Sequence, residues 1–294
     1  VNDRIQPHEF GGQTPWVGPC LGDYDCVVST GGWLDGLPYR AAGRVWILDA
    51  AGDVLERRSL GDLDKGRKVG VEFSVSGGRP GLRGSIAFLA VPKPDQSYDT
   101  PVTMNSTIRY FGASGLEAVI GAANPIMIND FDRTGRRSSY TMVSQAACID
   151  GPWRAISCHT NFSADPRYDR TIRLEVAAYN AEGRALGPET IAVPPFGSGW
   201  VDIVEIFGSR LRRHFAPTHG RGAYTVFSRD GAAVGYHFLR NEETGALAAD
   251  HTRAIRKYIA MGYGGSDAAG ATDWRGYLRN CLRVGRFLLT RKVE

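Results

Sequence analysis

Short runs in which apolar and polar residues alternate recur along most of this chain. "VGVEFSV" (69–75), "GSIAFLAV" (84–91), "TIRLEVAAY" (171–179), "GWVDIVEIF" (199–207) and "GAYTVFS" (222–228) all follow the pattern. A period of two puts successive side chains on opposite faces of a strand, so each run predicts a strand with one face buried and one wet. Turn formers separate the runs, as in antiparallel sandwiches. The expected fold is all-β: two tandem antiparallel β-sandwiches of immunoglobulin-like size, followed by a short C-terminal helix.

The number two comes from internal similarity. "VWILDAAGDVLERRSL" (45–60) aligns without gaps with "VAAYNAEGRALGPETI" (176–191) at a constant offset of 131 residues. The alignment matches Leu48 with Tyr179, Asp49 with Asn180, Gly52 with Gly183 and Leu55 with Leu186. Both stretches read as strand, turn, strand, with Asp49 or Asn180 opening the turn and a glycine supplying its positive φ. "CLGDYDCVVSTGGWLDG" (20–36) resembles "CIDGPWRAISCHTNFSAD" (148–165), and "TMNSTIRYFG" (103–112) resembles "DHTRAIRKYI" (250–259), in the same order. These similarities point to one β-built unit occurring twice. The expected boundaries are a first sandwich over 1–112, a connection over 113–142, a second sandwich over 143–265 and a helical tail over 266–294. In the tail, Trp274, Tyr277, Leu278, Cys281 and Leu282 fall at helical spacing behind Asp273, with arginines on the other side.

Composition narrows the class. A hydrophobic content of 43% and a charged content of 22% are those of a soluble globular protein. A net charge of +4 is too small to argue for nucleic acid. No run of about 18 apolar residues predicts a membrane span. The opening "VNDRIQPHEFGG" has no leader pattern, so the compartment is cytoplasmic or that of a secreted mature form. Cys20 and Cys26, or Cys148 and Cys158, are close enough in sequence for local staples; buried thiols fit equally well, and Cys281 is left over.

The most specific chemical signal is "AVGYHFLRNEETGALAADHT" (233–252). A three-residue turn ending at Gly245 and centred on Thr244 would set His237 directly opposite His251. Cross-strand neighbours have Cβ atoms about 4.5–5.5 Å apart, so two imidazoles could share one cation. His159, on the first predicted strand of the same unit, is the natural third ligand of a metal site. The first unit has no histidine in its sandwich, so any imidazole chemistry belongs to the second. "NDFDRTG" (129–135) starts like a calcium loop but has Thr141 where the bidentate Glu is required. "RRHFAPTHGRG" gathers His214, His219 and several arginines into an anion-binding rim or a solvated surface.

Two functions follow. The first is a non-enzymatic binding or scaffolding protein for a peptide, carbohydrate-like or small-molecule ligand, held by exposed loops or a groove between domains, with a protein partner or second copy also admitted. Its ligand contacts would be Trp33, Tyr39 and Arg40 in "GGWLDGLPYR" and Arg167 and Tyr168 in "ADPRYDR", because Trp, Tyr and Arg anchor interfaces. The alternative is an enzyme using a divalent transition metal on His159, His237 and His251.

Overall fold

The structure, a computed structural model, describes residues 3–5, 16–30, 37, 39–66, 71–93, 106–112, 115–122, 140–162, 168–228, 231 and 233–251. The first half contains β1 (Trp16–Leu21), β2 (Asp25–Thr30), β3 (Ala41–Asp49), β4 (Val54–Leu63), β5 (Glu72–Val75), β6 (Arg83–Pro92), β7 (Ser106–Phe111) and β8 (Glu117–Ala122). The second contains β9 (Tyr140–Cys148), β10 (Trp153–Thr160), β11 (Ile172–Asn180), β12 (Ala185–Val193), β13 (Ser198–Asp202), two short helices α1 (Ile203–Phe207) and α2 (Ser209–Phe215), β14 (Arg221–Ser228), β15 (Val234–Asn241) and β16 (Leu247–His251). The chain is nearly all β and antiparallel.

Four sheets result: sheet I in the order β1-β6-β3-β4, sheet II β5-β2-β7-β8, sheet III β12-β11-β14-β9 and sheet IV β13-β10-β15-β16. Strand for strand, sheet III has the order of sheet I and sheet IV that of sheet II. The aligned turns also match in geometry. Asp49 Oδ1 accepts from the Asp53 amide at 2.9 Å, and Asn180 Oδ1 accepts from the Arg184 amide at 2.9 Å. Gly52 (φ 86°) and Gly183 (φ 77°) take the left-handed position.

Sheets I and II pack over Val28, Ile47, Phe73, Phe88 and Ile108, with the Phe73 and Phe88 rings 6.1 Å apart. Sheets III and IV pack over Leu174, Val176, Val201, Tyr224 and Val226. The two cores are not independent. The other face of sheet IV, carrying Ile156, Cys158, Tyr236 and Phe238, is buried in the core of the first half. There the Tyr236 hydroxyl donates to the Val17 carbonyl at 2.8 Å, and the Tyr110 ring meets Phe238 edge-on at 5.8 Å. In return, Phe162 and Phe196 cover Val17, Trp46 and Leu48 on the outer face of sheet I. This is why β3 is buried at four consecutive positions, Val45–Leu48, where an outer strand face would alternate. The β3–β4 turn docks here too: the Ser198 amide donates to the Ala50 carbonyl at 3.0 Å, and a Cβ on Gly52 would lie 2.8 Å from the Pro195 carbonyl. Around Gly183 the same space is open.

Two expectations change. The segment 113–142 is not only a connection: β8 lies within it, burying Ala118 and Ile120 while Val119 faces out, and β9 begins at Tyr140. "GWVDIVEIF" is not one strand, because Asp202 accepts from the Val204 amide at 3.0 Å and the Glu205 amide at 3.3 Å and so caps a helix. The expected tail helix, with Cys281, lies outside the described residues. No helix among the described residues is long and apolar enough to cross a membrane.

Asp202 is 1% exposed and accepts from Arg154 Nε at 3.2 Å, while Arg83 of the first half approaches to 3.9 Å. Arg154 is half-buried and also reaches Glu205, so the substitution removes the cap of α1 and a charge-assisted hydrogen bond without stranding a buried charge. Asp202→Ala is expected to lower the unfolding free energy by about 2–4 kcal/mol. Truncating the exposed Glu205 should cost less than about 1 kcal/mol. Urea denaturation measures both, and the shared core requires that both halves unfold in a single transition.

The described cysteines are free thiols. Burial pushes Cys20 up to about 11 and Cys26 up to about 12. Peptide mapping after native iodoacetamide treatment should find Cys20, Cys26 and Cys158 unmodified and the half-buried Cys148 labelled, because the thiolate is the nucleophile and must be reached. Labelling of the first three without denaturant would contradict this packing.

Candidate functional site

The hairpin carrying the histidines closes one residue differently from the sequence expectation. Asn241 Oδ1 accepts from the Glu243 amide at 3.0 Å and the Thr244 amide at 2.9 Å, and the Asn241 amide donates to the Ala246 carbonyl. The turn therefore holds four residues between Asn241 and Ala246, not three. His237 pairs with Asp250, and His251 pairs with Tyr236. The expected His237–His251 cross-strand pair is not formed, because a slip of one residue changes every partner. The His251 side chain lies outside the described residues.

His237 instead meets groups that the sequence pattern did not single out. It is the direct cross-strand partner of Ser157, and His159 follows two positions along β10 on the same face. From sheet III, the Tyr224 hydroxyl hydrogen-bonds His237 Nδ1 at 2.9 Å. Ser157 Oγ and His159 Nε2 are 2.8 Å apart. Ser157, His159 and Tyr224 are 0% exposed and His237 is 7% exposed. Two of the three expected metal ligands, His159 and His237, thus share one cluster with Ser157 and Tyr224. The alternation in "SCH" could have revealed Ser157; Tyr224 comes from a distant strand and left no local signal.

Desolvation dominates the electrostatics. Burial, with a smaller contribution from His237, lowers the His159 pKa to about 3. Burial lowers that of His237 to about 4, against the opposing pull of Asp250. Both imidazoles are neutral at physiological pH and hydrogen-bonded, as buried polar groups must be. Neutral nitrogens are what a metal would need, yet no group of three or more His, Cys, Asp or Glu among the described residues is arranged to hold one.

The expected loop contacts separate. Tyr39 is in the core, 1% exposed, with its hydroxyl 3.3 Å from the Ala90 carbonyl, because its strand-entry position faces the interior of the first sandwich and not solvent. Arg40 is exposed. Tyr168 is half-buried, donating to Asn161 Oδ1 at 2.8 Å and packing edge-on against Phe196 at 6.0 Å. Trp33 and Arg167 lie outside the described residues.

Among the described residues, the outer side of sheet II carries side chains that reach solvent. Register places Ser74, Val27, Arg109 and Val119 in one row across the four strands. The next row holds Asp25, Phe111 and Glu117. Arg109 lies 5.8 Å from the Phe111 ring centroid and 3.7 Å from Glu72, which also accepts from Ser29 at 2.9 Å. Val119 and, in the adjoining turn, Leu116 are each 52% exposed. Apolar, aromatic, hydroxyl and charged groups therefore share one accessible face.

No protein-family model matches the chain, and no curated protein matches it in sequence. Among solved structures, a glycosyl hydrolase family 2 member from Bacteroides cellulosilyticus aligns over 85% of this chain and 25% of its own, at 9% identity and a TM-score of 0.18. A β-glucuronidase from Bacteroides uniformis aligns over 80% of this chain and 25% of its own, at 10% identity and a TM-score of 0.18. The chain spans about a quarter of the length of these structures. At such TM-scores the likeness carries no conclusion about this chain's chemistry.

The buried histidines make stability depend on acid. Their folded pKa values lie below the ordinary value of 6.5, so the unfolded chain binds more protons as pH falls below it. Their stabilising contribution is complete above about pH 6.5 and is lost progressively toward pH 4, by up to about 1.4 kcal/mol per pH unit per proton. His237→Asn should make the loss between pH 6.5 and 4 shallower by about one proton in urea titrations at stepped pH. An unchanged slope would show that this ring is not the proton acceptor avoided by the fold.

Proposed function

We propose that the protein is a non-enzymatic binding protein that takes a peptide or carbohydrate-like ligand on the open face of sheet II and its adjoining loops. The observation that carries this reading is the Val27–Arg109–Val119 row, in which Val119 is exposed and Val27 and Arg109 are half-buried, with the half-buried Phe111 beside it. Arg and aromatic side chains on a preorganised surface lose little freedom on binding and provide both contact area and directional hydrogen bonds. In sequence Trp33 follows shortly after Thr30, the last residue of β2, a central strand of this sheet, and is included in the reading on that ground alone. The Ser157–His159–His237–Tyr224 cluster, by contrast, is enclosed between sheets, which favours recognition at the surface over chemistry in the interior.

Peptide and glycan arrays followed by calorimetry on any hit test this. Arg109→Ala and Phe111→Ala should each weaken the ligand by about tenfold or more, as central contacts do, and Trp33→Ala should weaken it in the same direction. A ligand whose affinity survives the Arg109 and Phe111 changes would remove the sheet face from the reading.

A further inference from the structure

Most arginines on the described surface are neutralised or otherwise engaged. Arg57 is held by Asp3, Arg79 by Glu56, Arg184 by Glu182 and Arg240 by Asp23. Arg44, Arg212, Arg213 and Arg221 are the described arginines without a carboxylate, hydrogen-bond or ring partner of their side chains. Three of these fall within one short stretch of the second half, and all three are exposed.

That stretch is a built surface. Leu211 and Phe215 anchor α2 in the core of the second half, which turns Arg212 and Arg213 outward. After a short 3-10 turn over Ala216–Thr218, the Gly220 amide donates back to the Phe215 carbonyl at 3.0 Å. Thr218 Oγ1 lies 3.1 Å from the Phe215 carbonyl and 2.6 Å from that of Arg221. These bonds bring the start of β14, and with it Arg221, beside the last turn of α2. His219, exposed at φ 51°, sits on the same turn. Arg210 is already paired with Glu189 at 2.7 Å and is not counted.

The Asp150 carboxylate lies against Gly220 in the same turn but forms no ion pair with these three arginines. From this concentration of guanidinium groups without ion-pair partners we infer that α2 and the 219–221 turn form a docking site for an acidic peptide segment, distinct from the sheet II face. Guanidinium groups match carboxylates bidentately, and arginine clusters are a recurring means of reading acidic motifs. The patch is too small for nucleic acid, whose binders spread basic charge along a face to follow the phosphate backbone. It does not suit a membrane surface, because the apolar residues of α2 point into the core and leave nothing to insert.

Fluorescence anisotropy with labelled hexaglutamate tests the site, with hexaglutamine, a single-stranded oligonucleotide and a heparin-type oligosaccharide as competing probes. Hexaglutamate is expected to bind, to weaken as salt rises, and to lose at least tenfold in affinity in Arg212→Gln/Arg213→Gln/Arg221→Gln. Arg44→Gln should leave binding unchanged, and the triple variant should keep its melting temperature because the anchors Leu211 and Phe215 are untouched. Absence of hexaglutamate binding, equal binding by hexaglutamine, an unaffected triple variant, or tighter binding of either competing polyanion would overturn the inference. None of these outcomes bears on the sheet II variants, so the two readings fail separately.

Discussion

Sheet IV has no side that faces water across its central strands, and the rest of the molecule is arranged around that constraint. One face of β10 and β15 packs on sheet III, and the other supplies Cys158, Tyr236 and Phe238 to the core of the first half. A strand buried on both faces has no wet row on which to place polar residues. Each polar group it carries must find an internal partner or be costly. Tyr236 finds the Val17 carbonyl, His237 finds Tyr224, and His159 lies against Ser157. The histidine cluster is therefore as much a consequence of the layering as a site within it.

The same constraint is why the proposed reading places recognition at the periphery. With the middle layer sealed, the two surfaces proposed for partners are the outer face of sheet II and the short helical excursion after β13. These surfaces differ in kind. On sheet II, Arg109 is already engaged with Phe111 and Glu72, so the face is mixed and close to balanced. Around α2, Arg212, Arg213 and Arg221 have no ion-pair partner, although the Asp150 carboxylate lies against the turn. One chain thus presents a surface suited to shape and stacking and another suited to electrostatic attraction, on a frame that links the halves through Asp202, Arg83 and Tyr236.

Much of the architecture was legible because it is written locally. Alternation marked the strands, and the Asp49–Gly52 and Asn180–Gly183 turns could be aligned because each is closed by its own residues. The histidine register was misplaced because the Asn241 side chain, bonding two amides ahead, makes the turn one residue longer than the glycine alone suggests. The α1 helix was hidden because "VDIVEIF" fits both periodicities, and the Asp202 cap decides between them. Tyr39 and Tyr224 could not be assigned from their neighbours in sequence. What surrounds each is supplied by strands far away in the chain, and only folding brings it there.

The two matching turns sit in different surroundings. At Gly52 the backbone of residues 195–197 presses against the place where a side chain would begin, whereas nothing lies within 4 Å of the corresponding point at Gly183. One loop is a keystone between halves, and the other is a free tip. Sequence drift, epitope tags and engineered insertions therefore have a natural entry point at 181–183, and an equivalent graft at 50–52 would wedge the halves apart.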